Sequence, residues 1–585
     1  MIRAVDYETL KTLKISDFEN AADGYREAGN MASQAKDELY NQIIPGMQKS
    51  LHGEALNAAV TQLRELSKNF QYAQVECGLI GAALNAFALE LRLAKVKLDL
   101  AVGDATDARL GVREDGSVSY GAWSGSPGSE SIPGGTVSGG AALVQGPGIN
   151  PNHNVAQTYA NRIAAAIKEA TEVDAKWSAK LKSLEADDDL TVSNRDWINT
   201  RHDVRGTLKG AKDYLNLILE PPKDGTPEEN AAWWAGLTEE QRGDYASLNI
   251  ATVGTLDGLP SEIRDEGNRY TLRATSARWE MERERLILMR DFITQDGRFM
   301  NRSIENRLKD MDKKLAGLNQ VQQHLDSTGE KGIPELYLLG IDTEKNGRAI
   351  VSVGNPDEAD NVMTYVPGMN TKLETVGGDI ERAESLYSQA VALGDPEKKY
   401  ASLMWLGYDA PQNPVAVAKE GLANDGAPVL NDFLDGLQAS HRGEPANDTL
   451  VGHSYGSLVS GKMLSGDETP PVDAAIFVGS PGVGVDHAAD LNLPPENVWA
   501  GKSRNDVVAS LPTRSIYNPW SWGERPFGVD PTDPGFGGQQ FGVQDGSKWP
   551  PFAAHSLYWD ENSESLKNMA LIVNGEYPMS GAEPE

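Results

Sequence analysis

Two hydrophobic periods divide this chain. Up to about residue 330, apolar residues recur every three to four positions, the spacing of amphipathic helices. From Pro334 onward, short apolar runs alternate with helical stretches, the pattern of strands interleaved with helices. In the first region, Ser16-Asp17-Phe18-Glu19 caps a helix that reaches about Ile44, and Pro45-Gly46 or His52-Gly53 breaks it. A second helix runs from about Glu54 to Leu100, with Leu56, Val60, Leu63, Leu66 and Phe70 on one face. At 1.5 Å per residue it is about 70 Å long. So long a hairpin buries its apolar stripe only against another helix or a partner chain.

Helices resume near Asn154 to Leu184 and Asp203 to Leu219. Pro221-Pro222 ends the latter, and Pro227 opens a helix containing Trp233-Trp234, read as core. One long helix is expected from about Ser276 to Leu325. Ile304, Leu308, Met311, Leu315, Leu318 and Leu325 form its heptad seam, which predicts an antiparallel hairpin or coiled coil. Glu280, Glu282 and Arg283 read as its solvated face.

After Pro334 the expected strands are Leu336 to Gly340, Ala349 to Val353, Val362 to Val366, Ala401 to Leu406, a run ending at Ser454, Ala475 to Val478, and Val498 to Ala500. Helices of about Gly378 to Ala392 and Val415 to Leu437 lie between them. This predicts a mostly parallel, doubly wound α/β sheet preceded by a largely helical half with long hairpins. The segments expected are a helical hairpin (1–103), a Gly/Ser/Pro-rich linker with a short β-hairpin around Asp115-Gly116 (104–152), a helical domain (153–330), the α/β domain (331–577) and a disordered acidic tail (578–585).

Composition narrows the function. The 585 residues carry a formal net charge of −31, which argues against nucleic acid or an anionic membrane as partner. The single cysteine, Cys77, excludes an intrachain disulfide and a cysteine-based zinc site. The first residues lack the apolar core of a cleavable leader, and the most apolar run, Gly78 to Leu89, is too short to span a bilayer. A soluble protein is therefore expected, cytoplasmic or exported without a cleavable signal.

The chemistry centres on Thr449 to Leu458, an apolar strand, the turn Gly452-His453-Ser454-Tyr455-Gly456, and a helix-compatible run. Such an elbow exposes a serine hydroxyl at a helix N-terminus. A serine nucleophile needs a base, and the base an orienting acid, in the chain order nucleophile, acid, histidine. Only His487 and His555 follow Ser454, and His487 comes too early, so His555 is the expected base. Asp506, directly after the last strand, is the expected acid, with Asp486 the alternative. The backbone N–H groups of Tyr455 and Met369 are the expected oxyanion donors, Gly368 allowing close approach. The aromatic-rich loop between Asp506 and His555, with Trp520 and Trp522, is the expected wall of an apolar acyl pocket. The Asp530-Pro531-Thr532-Asp533 pair supplies too few ligands for calcium.

Residues 334 to 577 resemble the actinobacterial α/β-hydrolase family of unknown function. The matching segments are Trp405 to Pro411, Thr449 to Leu458, Phe477 to Gly484, Asn505 to Val508 and Ala554-His555-Ser556-x-Tyr558, with a looser likeness over Trp233 to Arg269. The resemblance implies a serine hydrolase with the triad just argued and no particular substrate. The N-terminal hairpin resembles the WXG-type hairpins of type VII secretion. Leu51-His52-Gly53 stands at the Trp-x-Gly turn, and Tyr72-x-x-x-Glu76 fits the accompanying export pattern. The expectation is an esterase-like enzyme acting on a small acyl or ester substrate, with no cofactor or metal. The alternative is a secreted or scaffolding protein whose hairpin binds a helical partner and whose hydrolase domain is vestigial.

Overall fold

The computed structural model describes residues 5–125, 130–185, 191–295, 302–329, 332–417, 420–509, 527–550 and 552–578. The N-terminal stripe of apolar residues forms one helix, Glu54–Asp107, of 54 residues. That is about 80 Å, longer than the sequence pattern suggested. It starts after Gly53, at φ +99°; before it, Ser16–Glu38 continues through the turn Leu39–Ile43 into Ile44–Ser50. The long helix satisfies its apolar face within the chain, against Ser16–Glu38 on one side and the helix Pro151–Ser183 on another. By length and composition it is apolar enough to cross a membrane, yet 61% of that apolar stretch is buried inside the chain.

The stretch expected as a linker is more ordered than its composition suggests. The Asp115-Gly116 hairpin forms, pairing β1 (Gly111–Val112) with β2 (Val118–Tyr120), and β3 (Gly135–Val137) adds a third antiparallel strand. Buried Val118 and Val137 anchor this sheet to the helical core.

The single long helix expected over Ser276 to Leu325 is instead two. They are Ser261–Gln295 and Arg302–Leu325; the residues between lie outside the described ones. The second runs back along the first, with Arg283 to Asp312 at 2.5 Å and Arg307 to Glu282 at 2.9 Å. The heptad seam is the buried face, Ile304, Leu308 and Met311 packing on Leu286.

The C-terminal sheet has eight strands: β4 (Leu336–Asp342), β5 (Arg348–Val353), β6 (Asn361–Val366), β7 (Tyr400–Leu406), β8 (Asn447–His453), β9 (Ala474–Val478), β10 (Val498–Gly501) and β11 (Gln539–Gln540). Their order is β11-β10-β9-β8-β6-β7-β5-β4. Neighbours from β11 through β7 pair parallel, while β5 pairs antiparallel with β7 and β4 with β5. The helices Gly377–Leu393, Gly421–Ser440 and Tyr455–Leu464 make the crossovers. After β6 the chain goes to β7 on one side, then returns to β8 on the other. The strand order therefore reverses between β6 and β8, which opens a crevice at their carboxyl ends.

Strand β4 would be an open edge. The helix Ser261–Gln295 closes it with side chains rather than another strand. Arg264, Asn268 and Arg269 donate to the carbonyls of Leu339 (2.9 Å), Leu338 (3.0 Å) and Leu336 (2.6 Å). Asp265 accepts from the Leu338 N–H at 2.6 Å and from Arg269 Nε at 2.6 Å. Asp357, fully buried, accepts from the Ser261 N–H and hydroxyl at 2.7 Å each and so ties down that helix's start. Part of the helical half is thus built into the α/β unit. Trp233 and Trp234 are buried with Ile218, Tyr245 and Leu259, as core.

Candidate active site

Strand β8 delivers Ser454 to the reversal crevice. The residue has φ 55 and ψ −126, a left-handed conformation that is costly for a non-glycine, of order 1–3 kcal/mol. Packing on both sides enforces it. A methyl on Gly456 would lie 2.1 Å from the carbonyl oxygen of Val366, so the helix after Ser454 can approach β6 only through glycine. A methyl on Gly368 would lie 2.6 Å from Ser454 Cβ and 3.0 Å from its Oγ, so the loop after β6 lies directly against the serine. Tyr455 is the first residue of the following helix and Met369 follows Gly368, which puts both backbones at this point.

One side chain and one backbone bond pin that loop. The Tyr408 hydroxyl donates to the Pro367 carbonyl at 2.7 Å, and the Asn370 N–H donates to the Pro411 carbonyl at 2.9 Å. Tyr408 stacks on Tyr455, ring centroids 6.5 Å apart and nearly parallel. The Gly407-Tyr408-Asp409-Ala410-Pro411 segment after β7 therefore braces the serine's surroundings.

Asp506 and His555 come together here across 49 residues. His555 Nδ1 lies 2.8 Å from Asp506 Oδ2 and 3.0 Å from Oδ1. Asp506 is fully buried and also accepts from the Tyr558 hydroxyl (2.6 Å) and the N–H groups of Val508 (2.9 Å) and Ala509 (3.2 Å). Burial alone would raise its carboxyl, but the bonds and charge of His555 and the bonds from Tyr558 and Ala509 hold it below the usual range. With Nδ1–H directed at the carboxylate, a neutral His555 keeps its lone pair on Nε2. The Ser454 N–H donates to Val478 at 3.2 Å, and a methyl on the next residue, Gly479, would lie 3.0 Å from Asp506 Oδ2 and 3.1 Å from His555 Cε1. One short segment after β9 thus touches both serine and dyad. Among the described residues no hydrogen bond joins the Ser454 hydroxyl to His555. Such links are often long in a free enzyme and tighten around substrate.

The alternatives fall elsewhere. Asp486 and His487 are exposed, and His487 faces the Gly535 carbonyl at 3.3 Å. Asp530 pairs with Lys502 at 2.8 Å, and Asp533 caps the turn Pro534–Phe536. Trp520 and Trp522 lie outside the described residues. Of the other loop aromatics, Phe536 and Phe541 are buried against the sheet, beside a strand, β11, that a Gln-Gln pair did not announce. Trp549 and Phe552 are 77% and 61% exposed, close in sequence to His555. A cleft of about 550 Å³ lined by Arg26, Trp234, Arg242 and Arg442 lies where the helical half meets the α/β unit, and none of its lining residues belongs to this site.

The sequence reading passed over His453, because chain order placed it before the serine. Its ring is buried, its Nε2 lies 2.9 Å from the His555 carbonyl oxygen, and its centroid is 4.7 Å from the His555 ring.

Residues 342–515 match a family model described as alpha/beta hydrolase; the match includes Ser454 and Asp506 and stops before His555. The chain is similar to the uncharacterized protein MT2140 of Mycobacterium tuberculosis, 28% identical over 387 residues, which is 61% of this chain and 57% of that protein. It is also similar to the uncharacterized protein Mb0988c of Mycobacterium bovis, 34% identical over 186 residues, which is 30% of this chain and 69% of that protein. The chain spans little more than half the length of the first of these. No solved structure matches it.

Proposed function

The chain belongs to the α/β-hydrolase family, and on that premise we propose that it is a serine hydrolase cleaving an ester or related acyl bond. The observation that carries the reading is the Asp506–His555 pair, 2.8 Å apart, beside a serine held at φ 55. In this reading Ser454 Oγ attacks the acyl carbonyl while His555 Nε2 takes the hydroxyl proton. Asp506 stays ionised, fixes the ring and stabilises the imidazolium. The N–H groups of Tyr455 and Met369 receive the oxyanion of the tetrahedral intermediate. Collapse of that intermediate breaks the bond to the leaving alcohol, which takes the proton from His555. Water, deprotonated by the same Nε2, then attacks the acyl-enzyme; the acid leaves and Ser454 regains its proton.

The loop from Asp506 to His555 is proposed to supply an apolar acyl wall, favouring uncharged short-to-medium acyl chains. Within its described part, Trp549 and Phe552 are the largely exposed aromatics. Hydrolysis of an aryl-ester series by wild type, Ser454→Ala, Asp506→Asn and Asp486→Asn tests the reading. Loss of a triad member costs about 10⁴-fold in turnover. Asp486→Asn is expected to resemble wild type, and activity surviving in Ser454→Ala would refute the assignment.

A further inference from the structure

We propose that His453 is a positioning residue for His555: its Nε2–H holds the base's own backbone carbonyl, so that the residue before the nucleophile fixes where the base stands. This rests on the serine-hydrolase reading above. A carbonyl oxygen only accepts, so the 2.9 Å approach of His453 Nε2 to the His555 oxygen requires the proton on Nε2. The other nitrogen, Nδ1, is then a bare acceptor, and it is buried with no hydrogen-bond partner among the described residues.

The ring is also kept uncharged. Burial chiefly, then the neighbouring His555 and Arg382, hold it well below the usual histidine range. Trp559 packs edge-on against it at 5.0 Å. A second cation 4.7 Å from His555 would oppose the imidazolium that forms during turnover, and a neutral ring does not.

Packing alone does not account for a histidine here. A phenylalanine, only one ring atom larger, would line the site without burying an orphan nitrogen, a defect that in general asks for an explanation. The surroundings of His555 supply one. The base sits in a single short turn, Ala553–His555, entered through Phe552 at φ +74 after an irregular loop. Its own N–H bonds back to Phe552 at 3.0 Å. Asp506 fixes the ring from Nδ1, and His453 fixes the backbone. Together they leave Nε2 with one direction, set from strand β8, which also sets Ser454.

The test compares wild type, His453→Phe and His453→Gln. Phenylalanine keeps an aromatic ring without a donor; the glutamine amide nitrogen reaches the place of Nε2 and restores one. His453→Phe is expected to lose about 10- to 100-fold in kcat, as for a base displaced by about an ångström, with KM little changed in protein that remains folded. His453→Gln is expected within about threefold of wild type. If His453→Phe fails to fold, His453→Asn, too short to reach the carbonyl, takes its place with the same expected loss. Wild-type kcat in the donor-less variant, or equal loss in both variants, would overturn the proposal. A wild-type protein without Ser454-dependent turnover would remove the hydrolase reading itself, and this proposal with it.

Discussion

Tyr558 and Asp506 share a 2.6 Å hydrogen bond, hydroxyl to Oδ2, on the carboxylate oxygen that lies nearest His555 Nδ1. The same hydroxyl accepts the Ser503 N–H at 3.3 Å, so Tyr558 links the acid to the end of β10. A bond to a buried charged group contributes about 1.5–3 kcal/mol. Tyr558→Phe is therefore expected to cost about that much stability, measured by denaturant unfolding at pH 7, and to lower kcat about tenfold. The pH dependence has a definite sign. The folded carboxyl titrates below its unfolded value of about 3.9, so its stabilisation is present above that value and lost as pH falls through the folded one. Without Tyr558 the folded value rises, and acid unfolding should begin at higher pH than in wild type.

Gly456→Ala is expected to abolish most turnover. The added methyl meets backbone, the Val366 carbonyl at 2.1 Å and that of Pro367 at 2.8 Å, so strand or helix must shift. A displacement of an ångström at a catalytic group costs about 100-fold. Gly421→Ala, where an added methyl meets nothing within 4 Å, is the control and should leave kcat unchanged.

Glu76 makes the helical half lose stability as pH rises from acid to neutral. It is buried beneath Thr200, whose hydroxyl donates to it at 2.6 Å, and burial raises its carboxyl to about 7 despite that bond. The folded state thus holds a proton that the unfolded chain releases near pH 4.3, and stability falls as pH rises between those values. At about 1.4 kcal/mol per unit, the loss is about 3–4 kcal/mol by pH 8. Glu76→Gln should match wild type at pH 4 and melt at a higher temperature at pH 8. Equal melting temperatures at pH 8 would contradict the burial argument.

Trp549→Ala and Phe552→Ala separate an acyl wall from an inert surface. Both side chains are largely exposed, so neither change should lower the melting temperature appreciably. If they receive the acyl chain, the preference across a chain-length series shifts toward shorter esters, through KM. An unchanged preference would remove these two residues from the wall.

The period of apolar residues revealed the helical hairpins and every strand of the eight-stranded sheet except β11, but not β3 in the Gly/Ser/Pro-rich stretch, because a core-facing pattern is what the pattern records. It did not reveal the closing of β4. Arg264, Asp265, Asn268 and Arg269 are polar, so they add nothing to the apolar period, yet they bond the backbone groups of the edge strand. The break after Gln295 was missed because the heptad seam belongs to the second helix, which packs on the first. In the site, chain order brought Ser454, Asp506 and His555 forward, since topology fixes which loop reaches the crevice. The supporting residues His453, Tyr408 and Tyr558 act through backbone carbonyls and a shared carboxylate. Such partners leave no spacing in the sequence.

The central claim is that Ser454 is an activated nucleophile. Incubation of the full-length protein with a fluorophosphonate probe, followed by peptide mapping of the adduct, tests it most directly. The account predicts one stoichiometric adduct on Ser454, absent from Ser454→Ala and strongly slowed in His555→Ala. A folded wild-type protein that takes no label at Ser454, or one labelled as fast in the Ser454→Ala variant, would contradict it.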